Sequence, residues 1–122
     1  MRLFEIEKKW NELISVNSLN EIINASNSAP ILFFKHSSRC SISNMALSRI
    51  NNGFSLYFPC ETYLINVLLN REVSNKLAEI TSVEHQSPQV IIFYNKKVIY
   101  SASHNQIKAE AIALKIKGLK ND

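Results

Sequence analysis

An α/β fold, a mixed central sheet flanked by helices, is the architecture this sequence predicts. Three observations point to it. The run Ile31-Leu32-Phe33-Phe34 is apolar without alternation, as expected of a strand covered on both faces. Strand-like and helix-like patterns then alternate, which calls for parallel βαβ units. Near the C-terminus, Val90-Ile91-Ile92-Phe93-Tyr94 and Val98-Ile99-Tyr100 flank Asn95-Lys96-Lys97, the pattern of a hairpin.

In chain order, Trp10, Ile14 and Val16 suggest a first strand over 10–16, although a helical turn fits there too. Ser18-Leu19-Asn20-Glu21 has the form of a capping box, with Leu19, Ile22 and Ile23 at helical spacing after it. Asn27-Ser28-Ala29-Pro30 ends that helix and the strand over 31–35 follows. A helix from Cys40 would turn Ile42, Met45, Ala46 and Ile50 inward, with Asn51-Asn52-Gly53 as its stop. A strand over 61–69 would divide Tyr63, Ile65 and Val67 from Leu64 and Leu68. Residues 71–80 form a helix with Val73, Leu77 and Ile80 inward, and Ser87-Pro88 breaks the chain before the hairpin. Ser103-His104-Asn105-Gln106 reads as a second capping box, with Ile107, Ala111 and Leu114 carrying the last helix. The resulting order, β-α-β-α-β-α-β-β-α, is that of the thioredoxin-like fold.

A chain of 122 residues is long enough for a real core, and 1–122 are expected to form one such domain. The net charge of +4 is scattered: only Lys8-Lys9 and Lys96-Lys97 are adjacent pairs. That distribution argues against a nucleic-acid footprint. No apolar run reaches membrane-spanning length, and acids in Met1-Arg2-Leu3-Phe4-Glu5-Ile6-Glu7 break any secretory pattern. Cys40 and Cys60 do not make a disulfide framework, so a reducing cytoplasm is the expected compartment. His36, His85 and His104 lack the paired short spacings of a zinc site, so no metal is expected.

Cys40 carries the chemistry. It falls at the seam between a strand and a helix, where backbone N–H groups and the helix dipole favour a thiolate. The bland alternative is a buried small hydrophobe. Three residues on stands Ser43 rather than a second thiol. A hydroxyl there cannot resolve a mixed disulfide; it either donates a hydrogen bond to the sulfur or is polar filler in the first turn. Lys35, His36 and Arg39 bring positive charge close in sequence, and His85 joins them if the Pro88 loop packs opposite Cys40. Cys60, after Pro59, is either a structural thiol or a resolving one.

Three spaced patterns resemble a known family: Phe34-Lys35-His36-Ser37-Ser38-Arg39-Cys40-Ser41-Ile42-Ser43, then Asn70-Arg71-Glu72-Val73-Ser74, then Val83-Glu84-His85-Gln86-Ser87-Pro88-Gln89-Val90, with Ser101-Ala102-Ser103-His104 after them. The chain is similar, from about Trp10 to Gly118, to the YtxJ family of thioredoxin-like proteins, the monothiol bacilliredoxins. The resemblance implies that Cys40 is the reactive cysteine and Pro88 the cis-proline. It implies bacillithiol as co-substrate with no tightly bound cofactor, and S-bacillithiolated proteins as partners. A cis bond at Pro88 would turn the chain into the sheet and bare the Ser87 backbone to a substrate, in the manner of strand addition. One departure stands out: the family usually has Pro directly after that cysteine, and here Ser41 adds a donor and loses the rigid first helical residue.

The expected activity is removal of bacillithiol from proteins through a mixed disulfide on Cys40. Two rivals remain at this level: a dithiol reductase using Cys40 with Cys60, and a non-enzymatic stress or adaptor protein with an idle Cys40.

Overall fold

The computed structural model describes residues 10–26, 29–54 and 60–120. Met1 to Lys9, Asn27, Ser28 and Pro59, on which parts of the sequence reading rest, lie outside the described residues. The strands are β1 (Asn11–Glu12), β2 (Ile31–His36), β3 (Glu61–Asn66), β4 (Gln89–Tyr94) and β5 (Lys97–Ser103). The helices are α1 (Val16–Asn24), α2 (Ser41–Gly53), α3 (Arg71–Thr81) and α4 (Ala109–Lys120). The sheet order is β1-β3-β2-β4-β5. β1, β3 and β2 run parallel, and β4 and β5 are antiparallel additions beside β2. This is the thioredoxin-like arrangement expected from the order of elements.

Side chains of β2 alternate between two apolar clusters. Leu32 and Phe34 join Ala46 and Ile50 of α2 and Ile112 and Ile116 of α4 on one face. Ile31 and Phe33 join Leu19 and Ile23 of α1 and Val73 and Leu77 of α3 on the other. The strand is buried at every position, which explains its lack of polar alternation. The hairpin turn uses Asn95 and Lys96, both at positive φ (53° and 61°), the turn whose twist matches the strands it joins.

Several local expectations need correction. The first strand is only two residues long, and α1 starts at Val16 with Ser15 as its cap: the Ser15 hydroxyl accepts from the Ser18 N–H at 3.1 Å. Starting the helix there aligns Val16, Leu19 and Ile23 along one face. β3 ends at Asn66 rather than 69, because the Asn66 carboxamide accepts from the Leu68 and Leu69 N–H groups and turns the chain. Ser103 caps nothing with its side chain; His104 (φ 53°) opens a single 3-10 turn instead. In α4 the inward stripe is Ile112 and Ile116, four apart, which rotates Leu114 out to 69% exposure.

Candidate active site

α2 is the helix that presents Cys40, and its inward face is not the one hydrophobicity suggests. Ser43, Ala46 and Ile50 are buried, while Ile42 and Met45 stand 50% and 62% exposed. Cys40 is the N-cap residue, half-buried, with extended backbone (φ −105°, ψ 121°), and its sulfur caps no backbone N–H. The first N–H groups of a helix have no intrahelical acceptor, so they form a field of donors beside whatever sits at the cap.

The loop from β2 into α2 is closed by four hydrogen bonds. Cys40 N donates to the Ser37 carbonyl at 3.1 Å and Asn44 N to the Cys40 carbonyl at 3.0 Å. Asn44 Nδ2 donates to the Ser38 carbonyl at 3.4 Å, and Ser37 N donates to Ser43 Oγ at 3.0 Å. Ser43 Oγ also shares a 2.7 Å hydrogen bond with His36 Nδ1. The hydroxyl at the position of a resolving cysteine therefore holds the loop base. His36 is buried beneath α2, its ring 5.8 Å from that of Phe34, and burial holds its imidazole below the ordinary histidine range.

Lys35 and His36 are consecutive in a strand and so point to opposite faces. Lys35 lies on the α3 face, wholly buried. Its Nζ donates to the Ser74 carbonyl at 3.1 Å and contacts His85 Nδ1 at 3.2 Å; Ser74 Oγ lies 3.1 Å from the same nitrogen. Burial lowers the Lys35 ammonium to about 8, still charged at neutral pH, so Lys35 is the donor and His85 carries its proton on Nε2. His85 is held below its usual value by burial first, then by Lys35 and Arg71. The sequence singled out His85 but assigned no role to Ser74 or Gln89. A lysine inside an apolar strand was the available signal.

The Ser87-Pro88 peptide is cis. Lys35 pairs with Gln89 in the β2–β4 ladder, so Pro88 lies one residue past the end of that pairing, at the edge of the sheet from which β2 leaves for Cys40. Pro88 is buried and its carbonyl accepts from His104 N at 3.1 Å. Two buried polar atoms here, Ser87 Oγ and Gln89 Oε1, have no hydrogen-bond partner. Arg39 is exposed and, with Ser38, Leu68 and Leu69, lines a groove of about 420 Å³.

Cys60 precedes β3, whose first residue Glu61 pairs with Ile31 at the start of β2. Cys40 follows the other end of β2. The length of β2, roughly 16 Å at 3.3 Å per residue, stands between the two levels. A disulfide needs Cα atoms within about 7 Å. The dithiol alternative with Cys60 as resolving thiol is therefore overturned for this fold. Among the described residues no cluster of three His, Cys, Asp or Glu could hold a metal. Among those residues too, no helix is long and apolar enough to cross a membrane.

A profile for the monothiol bacilliredoxin BrxC matches residues 11–112. The chain belongs to that family. Membership carries a bacillithiol-linked thiol–disulfide exchange role and makes the chain a thiol-based oxidoreductase of the single-cysteine type. Solved structures agree on the fold. A protein described as having a thioredoxin fold is 24% identical, with a TM-score of 0.79, over 90% of this chain and 96% of its own. Thioredoxin from Trypanosoma brucei brucei is 15% identical (TM-score 0.66, 93% and 92% covered). Thioredoxin from Fasciola hepatica is 16% identical (TM-score 0.67, 88% and 97% covered). Within the bacilliredoxin family this chain carries Ser41, exposed at the first position of α2, directly after the candidate cysteine.

Proposed function

We propose that Cys40 is the exchanging thiol of a one-domain bacilliredoxin acting in the reducing cytoplasm on S-bacillithiolated proteins. The Cys40 thiolate attacks the bacillithiol sulfur of a protein–bacillithiol disulfide. That S–S bond breaks, the protein sulfur leaves as a thiolate and takes up a proton, and a Cys40–bacillithiol disulfide forms. A second bacillithiol thiolate then attacks the bacillithiol sulfur of this disulfide, releasing Cys40 and leaving bacillithiol disulfide. Each step exchanges one S–S bond for another, so no further oxidant or reductant enters.

The observation that carries the proposal is a solitary sulfur at the cap of α2, with the second thiol a strand length away. Ser43 and His36 act by fixing the loop that presents Cys40. Arg39, free of ion pairs among the described residues, offers charge to an anionic thiol, and the Ser87 backbone beside Pro88 offers edge pairing to the substrate chain. Incubation of the reduced protein with a bacillithiolated protein tests this by mass spectrometry. Transfer to Cys40 in wild type, abolished in Cys40→Ser and kept within about twofold in Cys60→Ser, is the expected result. No transfer by wild type, or equal transfer by Cys40→Ser, would leave a thioredoxin-like adaptor instead.

A further inference from the structure

An ammonium loses its hydration on burial, so lysine is among the residues least often found inside. Lys35 is nonetheless wholly buried, and among the described residues no carboxylate pairs with it. Its partners are instead a backbone carbonyl of α3 and the ring of His85, which lies three residues before Pro88. Directly across the ladder, Gln89 donates Nε2 to the Glu84 carbonyl at 3.0 Å, closing the 84–89 segment on itself. From the β5 side His104 N holds the Pro88 carbonyl. On the β2 side the tie to this segment ahead of Pro88 is Lys35. Without it, His85 keeps Ser74 Oγ, and the loop loses its side-chain link to the strand that delivers Cys40.

Taking Cys40 as the exchanging thiol, as above, we propose that Lys35 is a positioning residue for the exchange: its buried ammonium holds His85, and with it the 85–88 loop, where the Ser87 backbone receives the incoming mixed disulfide. Lys35 acts on docking rather than on the sulfur. It projects to the α3 face, whereas α2, which Cys40 caps, covers the opposite face.

The test compares wild type, Lys35→Met, His85→Ala and the double variant. Three quantities are measured: transfer from a bacillithiolated protein, alkylation of Cys40 by iodoacetamide, and amide hydrogen exchange across 84–89. Each single variant is expected to raise KM for the mixed disulfide about five- to tenfold, with maximal rate and alkylation within about twofold of wild type. The double variant should add nothing, because the two side chains act through one contact. Amides of Gln86 and Ser87 should exchange about tenfold faster in Lys35→Met. An unchanged KM, additive effects, or a parallel fall in alkylation overturns the proposal. Should Lys35→Met fail to fold, the KM of His85→Ala decides it. An active wild type matched by its variants sinks the role of Lys35 alone; a wild type inert toward the bacillithiolated protein sinks the exchange function of Cys40 as well.

Discussion

Ser43 illustrates how a single position changes meaning between sequence and structure. Its place three residues after Cys40 marks what it is not, a resolving thiol. Its contacts establish what it does: one oxygen joins the Ser37 N–H and the His36 ring beneath the first turn of α2. Ser43→Ala leaves the buried His36 ring nitrogen and the half-buried Ser37 N–H without that partner. The expected cost is about 1–3 kcal/mol in denaturant unfolding, with slower transfer to Cys40. Unaltered stability would mean that the loop does not depend on the hydroxyl. His85 carries the complementary lesson. The expectation brought it to Cys40 through a Pro88 loop packed opposite, but its hydrogen bonds go to Lys35 and Ser74 on the other face of the sheet.

Among the elements, α2 departs furthest from its pattern. Ile42 and Met45 outweigh Ser43 in hydrophobicity, yet the helix buries the serine and exposes the other two. The rotation is set by Ala46 and Ile50, which pack on Leu32 and Phe34, and by the His36–Ser43 hydrogen bond. At the other end, α2 stops at Gly53, within the Asn51-Asn52-Gly53 stop expected from the sequence. Gly53 has no positive φ; a Cβ there would overlap the Ala109 Cβ at the start of α4. Gly53→Ala would gain helix propensity of up to about 1 kcal/mol. Overpacking between the two helices costs typically about 1–3 kcal/mol. The variant should therefore melt lower than wild type, measured by circular dichroism, and a raised Tm would show that the helices separate freely.

Across the whole molecule, burial of titratable groups ties stability to pH. Unfolded Lys35 holds its proton up to 10.5, whereas the folded chain gives it up near 8. Between these values the unfolded state binds more protons, so stability rises with pH through that window. At neutral pH the charge costs roughly 3 kcal/mol, from the shift at about 1.4 kcal/mol per pH unit. Lys35→Met should thus be as stable as wild type or more so at pH 7, and its stability should lack the rise that wild type shows between pH 8 and about 10. A rise persisting in the variant would assign the effect elsewhere. On the acid side, His36 and His85 both titrate below the ordinary 6.5, so unfolded chains take up protons first and stability falls as pH drops below 6.5.

The linear chain alone determined the order of elements, the continuously buried β2, the hairpin and the position of Cys40 at a strand-to-helix seam. Each depends on the spacing of apolar residues and turn formers within a few residues, which local patterns record. Tertiary structure decided which side of α2 and α4 faces inward, how Gly53 is used, and the exclusion of Cys60 as partner to Cys40. It also gave Lys35 and His36 their separate hydrogen-bond partners. Those outcomes depend on neighbours brought together across the sheet, such as Ser74 beside Lys35 and Ala109 beside Gly53, and no local period encodes them.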